Sequence, residues 1–157
     1  MPHFPRLVAV LLAALTTAAA TAAPMFAPLP ARSLRQAVHD GAELFARGRF
    51  GSTRSYVPLD GFDRHPLTCQ SCHSHGGVGP GHTPAGLTLP SLRGAAAGYP
   101  KLRGGIVVTL QQQITHCIAA GLGGETPRAG SAAMTDLVAY LSALSRGQPF
   151  APRLPGP

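Results

Sequence analysis

The sequence predicts a small all-α single domain with few helices and long loops, and three observations predict it. Three stretches show helical periodicity with capping residues at their starts. Between them runs chain so rich in breakers, Gly 19 and Pro 16 in 157 residues, that no long regular element fits there. Among those loops stands one unrepeated string, Cys69-Gln70-Ser71-Cys72-His73, whose chemistry explains how such a chain could build a core.

The first helix is expected from Leu34 to about Ala46, with Ser33 as its N-cap. Leu34, Val38, Ala42 and Phe45 recur at helical spacing and form its expected inward face, with Gly41 an interruption. Thr109 opens the second helix through the reciprocal Thr-x-x-Gln pattern with Gln112, and Gly121 to Gly124 end it. Ser131 caps the last, in which Met134, Leu137, Val138, Leu141 and Leu144 make an apolar stripe that Gly147 and Pro149 terminate. Between Ser74 and Val108 no convincing element appears.

Cys-x-x-Cys-His is the attachment signature of a c-type haem. Its two thiols, Cys69 and Cys72, add to the porphyrin vinyl groups, and the adjacent His73 becomes an iron ligand. One helical turn brings both sulfurs to one edge of the ring. A zinc site built from Cys69, Cys72, His73 and His75 would be crowded into a single turn, whereas structural zinc sites draw on separated knuckles. A thioredoxin-type dithiol lacks its alternating strand and helix surroundings. One haem c, covalently held, is therefore expected, and its apolar faces supply core to a chain without Trp and with 6% aromatic residues. Small c-type cytochromes share the three-helix skeleton and cross the first helix over the last. The expected fold is thus cytochrome c-like, loops wrapped around the haem, with Phe45 and Tyr140 meeting at the crossing.

The N-terminus agrees, because haem is attached outside the cytoplasm. Arg6, the apolar run from Leu7 to Leu15 and the small residues up to Ala23 read as a signal peptide cleaved after Ala22. The apolar run is far shorter than the ~20 residues a membrane span needs, so no stable span is expected. The organisation expected is signal peptide 1–22, linker 23–32, cytochrome domain 33–150 and flexible tail 151–157, in a periplasmic protein. The net charge of +7 comes from scattered residues, among them Arg47, Arg49, Arg54, Arg64, Arg93, Lys101 and Arg103. Nucleic acid is not an expected partner of an exported haem protein. A basic rim instead suits an acidic redox partner or a sulfur oxyanion.

The iron's sixth ligand decides what such a protein does. At 100° per residue, Cys117 falls centrally on the buried face of the second helix with Leu110, Ile114 and Ile118, while His116 turns outward. Met134 is inward but in the first turn of its helix, where methionine commonly packs. The residues alone leave Cys117, Met134 and His116 open. His39, His65, His75 and His82 have no pattern that suggests metal binding.

The order of these features resembles a known family. Cys69-x-x-Cys-His73 with Gly76-Gly77, then Tyr99-Pro100, a helix bearing a cysteine, and Ser131-x-x-Met134 leading into Val138-Ala-Tyr140-Leu and Leu144-Ser-x-Gly147 look like the haem domain of thiosulfate dehydrogenases and of the Sox A-subunit cytochrome. The resemblance implies Cys117 as the distal iron ligand and Met134 as packing. It also implies electron transfer in sulfur-compound oxidation, with a catalytic thiosulfate dehydrogenase-like haem subunit, Cys117 binding sulfur, as the alternative. A second cytochrome or enzyme subunit is an implied partner. Two departures stand out: Ala120 occupies the place of the family's arginine after the cysteine, and a second haem domain common in these dehydrogenases is missing. By similarity to c-type cytochromes, a proline carbonyl accepts the proximal histidine's other N–H, and Leu89-Pro90-Ser-Leu-Arg-Gly94 suggests Pro90 over Pro80.

Overall fold

The computed structural model describes residues 32–57 and 64–152. Helix α1 spans Leu34–Arg47, and the Ser33 side chain accepts from Gln36 N at its start, as the sequence led one to expect. Strands β1 (Ser55–Tyr56) and β2 (His65–Pro66) pair antiparallel and lead into α2, the single turn Cys69–Cys72. A 3₁₀ turn over His75–Gly77, the ladder of β3 (Gly81–His82) with β4 (Thr88–Leu89), and a second 3₁₀ turn over Ala96–Gly98 follow. Strands β5 (Lys101–Arg103) and β6 (Ile106–Val108) form a hairpin before α3, Leu110–His116. The helix then widens into a π-helical segment, Cys117–Leu122, and α4 spans Ala132–Leu144. All-α therefore describes the core but not the loops, where, among the described residues, three short antiparallel ladders take up main-chain groups that would otherwise lack partners.

The caps at Thr109 and Ser131 form as expected, Gln112 N reaching Thr109 Oγ1 at 3.2 Å and Met134 N reaching Ser131 Oγ at 3.3 Å. The inward face of α1 differs from its expected composition. Ala37, Gly41 and Phe45 are buried and Leu34 is exposed. Gly41 is the reason: a β-carbon there would stand 2.0 Å from the Asp136 carbonyl oxygen and 2.8 Å from Tyr140 Cβ, so α4 crosses α1 at the one residue without a side chain. At this crossing the rings of Phe45 and Tyr140 meet at 5.4 Å, tilted by 53°. Around it Leu67, Ile114, Ile118, Leu122, Met134, Leu137 and Leu141 complete the core.

The crossing carries one buried carboxylate, and it is paired. Arg32 donates to Asp136 on α4 and, through Nη1, to Asp40 on α1 at 2.9 Å. Arg32, the last residue of the expected linker, thus belongs to the folded unit. Among the described residues no helix is long and apolar enough to cross a membrane. The expected signal peptide and most of the linker lie outside the described residues.

Candidate functional site

The Cys-x-x-Cys-His turn is fixed from both ends. Thr68 N donates to Ser71 Oγ at 3.0 Å and His73 N to the Cys69 carbonyl at 2.9 Å, closing one tight turn. Gly81 packs directly on it: a β-carbon there would lie 2.0 Å from the Cys72 carbonyl oxygen. The Tyr140 hydroxyl donates to the Gly76 carbonyl at 2.7 Å, which ties the following turn to α4.

Cys69, Cys72 and His73 form one wall of a cavity of about 790 Å³, within the ~300–1,000 Å³ usual for cofactor and small-molecule sites. Across it stand Ile114, Cys117 and Ile118 from α3 and its π-helical extension, and the wall is predominantly apolar. The His73 Nδ1 is buried and has no hydrogen-bond partner among the described residues. Burial also holds the imidazole below its usual pKa, in its neutral, ligating form. Burial, with the nearby Cys117 sulfur adding to it, pushes the Cys69 thiol up to about 12, and the same two causes raise Cys72. An apolar slot, two thiols on one edge and an inward neutral imidazole suit a covalently held haem.

The structure gathers Cys69, Cys72, His73, Pro90, His116 and Cys117 around this one cavity. Met134 lies apart in the core at 1% exposure and does not line the cavity. Two expectations need correction. Cys117 is exposed rather than buried, because the protein core takes Ile114, Ile118 and Leu122 and leaves the neighbouring stripe to the cavity. Pro90 does not accept from His73, whose Nδ1 has no hydrogen-bond partner among the described residues. Pro90 follows β4 and forms cavity wall, while the Pro80 carbonyl accepts from the Ser74 hydroxyl. Sequence reasoning missed Gln113, whose Nε2 donates to Cys117 Sγ at 3.2 Å. Its i, i+4 spacing was the available signal. It also missed the Lys101 ammonium 4.4 Å from the Tyr99 ring centre at the cavity rim.

Comparison with known proteins decides the relationship. Residues 63–150 match the family model "SoxA/TsdA, cytochrome c domain". The chain belongs to this family. The thiosulfate dehydrogenase of Allochromatium vinosum is 32% identical over 127 residues, covering 77% of this chain and 44% of that protein. The chain thus spans less than half the length of that curated relative. The structure of the thiosulfate dehydrogenase TsdBA from Marichromatium purpuratum, as isolated, superposes with a TM-score of 0.53 at 22% identity, covering 80% of this chain and 27% of that one. The fold is cytochrome c-like, and a SoxA/TsdA cytochrome c domain implies haem c as cofactor. The helix α1 lies ahead of the matched residues, yet supplies Phe45 to the cavity wall.

Proposed function

We propose that this chain is an exported, periplasmic monohaem cytochrome c that passes single electrons in the oxidation of sulfur compounds. One observation carries the proposal: Cys69, Cys72 and His73 face Cys117 across one apolar cavity, in a chain whose family uses haem c. Cys69 and Cys72 would hold the haem covalently, and His73 and Cys117 would supply ligands to its iron. Haem, when bound, supplies a one-electron couple at iron.

The remaining work belongs to the polypeptide. Phe45, with its ring centre 6.4 Å from that of His73, packs beside the imidazole and restricts its rotation. Gln113 donates to the Cys117 sulfur at 3.2 Å and fixes its orientation. Ligation by the Cys117 sulfur as well as His73 would favour ferric iron and a low midpoint, which suits a low-potential partner. Between residues 64 and 124 the sequence has no Asp or Glu but has Arg64, Arg93, Lys101 and Arg103, the last three lining the cavity. Such a rim steers an acidic redox partner, a second cytochrome or an enzyme subunit. Replacing Cys117 by Met in the haem-loaded protein is expected to change the low-spin electron paramagnetic resonance signal and raise the midpoint. An unchanged signal removes Cys117 from the coordination sphere.

A second reading is favoured by the 32% identity to a thiosulfate dehydrogenase. In it Cys117, at the cavity wall, binds sulfur during thiosulfate oxidation and a partner subunit supplies the cation absent at Ala120. Thiosulfate-dependent reduction of ferricyanide by the purified protein separates the two: turnover supports the enzyme, and a reducible haem without turnover supports the carrier.

A further inference from the structure

The chain that follows Cys117 is held from outside its own helix. The last carbonyls of a helix lack partners within it, and here a distant segment takes them. Arg54 Nη1 donates to the Ala120 carbonyl and, at 3.2 Å, to the Gly121 carbonyl. Ser52 Oγ donates to the Leu122 carbonyl. The Phe50 carbonyl accepts from Glu125 N at 2.5 Å. Gly123 opens the route for the arginine: its φ is +67°, and a β-carbon there would stand 2.9 Å from Arg54 Cγ.

Arg54 also grips the opposite wall. Its own carbonyl accepts from Leu67 N at 3.2 Å, and Leu67 leads through Thr68 directly into the Cys69–Cys72 turn. Between the two walls at this point lies a second cavity of about 490 Å³, bordered by Arg54, Leu67, Cys72 and Ala120. Side-chain packing therefore does not set the separation of the walls here, and a hydrogen-bonded bridge does. The guanidinium suits the task, since a cation at the carbonyl end of a helix is favourable and its hydrogen bonds are charge-assisted.

The geometry points to Arg54 as a positioning residue, which fixes the approach of Cys117 to the His73 side of the cavity, with Ser52 assisting. This inference rests on Cys117 being the distal iron ligand. It assigns to a residue upstream of the haem motif the task of holding a ligand more than sixty positions later, as the sequence separation in those hydrogen bonds records.

The test uses the haem-loaded full chain. Arg54→Met is expected to split the single low-spin signal by adding a second, weaker-field population, to shift the midpoint, and to speed cyanide binding to the ferric protein severalfold. Arg54→Lys, whose single ammonium replaces the one nitrogen that makes both bonds, restores part of each property. Ser52→Ala gives a smaller change in the same direction and covers the case in which Arg54→Met fails to fold. An Arg54→Met protein with lowered thermal stability but unchanged signal, midpoint and cyanide rate overturns the assignment, for Arg54 is then merely structural. If Cys117→Met also leaves the signal unchanged, the ligand reading falls and this inference with it. If Cys117→Met alters the signal and the Arg54 and Ser52 variants do not, only the inference falls.

Discussion

Gly41 of α1 lies so close to Asp136 of α4 that a β-carbon would stand 2.0 Å from the Asp136 carbonyl oxygen. This contact sets the helix crossing, and the crossing places Phe45 and Tyr140 beside the candidate haem turn.

Gly41→Ala tests that relationship. Alanine gains up to ~1 kcal/mol in helix propensity, but the close approach of the Asp136 carbonyl forces the helices apart, an overpacking cost of ~1–3 kcal/mol. Denaturant unfolding should therefore show a net loss of stability. A variant at least as stable as the parent contradicts the crossing.

Tyr140→Phe keeps the ring against Phe45 and removes the hydrogen bond to the Gly76 carbonyl. The expected loss is ~0.5–1.5 kcal/mol in denaturant unfolding. Hydrogen exchange should also become faster at Gly77 and Val78, the amides of the turn that this bond anchors.

The haem-free protein should show a sharp order of thiol reactivity. Cys117 is exposed, whereas Cys69, raised from 9.0 to about 12 mainly by burial, stays protonated at neutral pH. That depresses its thiolate fraction on the order of 10³-fold relative to an unshifted thiol. Iodoacetamide at pH 8, followed by peptide mapping, should label Cys117 first and Cys69 last, and the lag should shrink as the pH rises towards 12.

The acid-free stretch from 64 to 124 predicts a signed salt effect. Oxidation by anionic ferricyanide should slow as ionic strength rises, because screening removes an attraction. Lys101→Glu with Arg103→Glu should slow it at low salt and flatten the dependence. A parent rate indifferent to salt contradicts a steering role for these residues.

What the sequence made legible was local. Ser33, Thr109 and Ser131 cap their helices through bonds to residues three positions on, and the Cys69–His73 string needs only one turn to act. What it hid depends on distant partners. Periodicity pointed to Leu34 and Val38 as the inward face of α1, because hydrophobicity scoring gives no weight to a glycine on which another helix rests. The wide π-helical segment at Cys117 departs from the 100° spacing used to place it, and the bridge from Arg54 to Ala120 and Gly121 joins positions with no shared pattern. Arg32 reads as linker until Asp40 and Asp136 are seen beside it.

The central claim is that this polypeptide carries one haem bonded to Cys69 and Cys72. Intact mass analysis of the protein produced with a haem-maturation system, followed by mapping of the peptide that contains both cysteines, tests it most directly. The account predicts a mass increase of one haem that survives acid–acetone extraction and resides on that peptide. Unmodified Cys69 and Cys72, with any haem removed by the extraction, would contradict it.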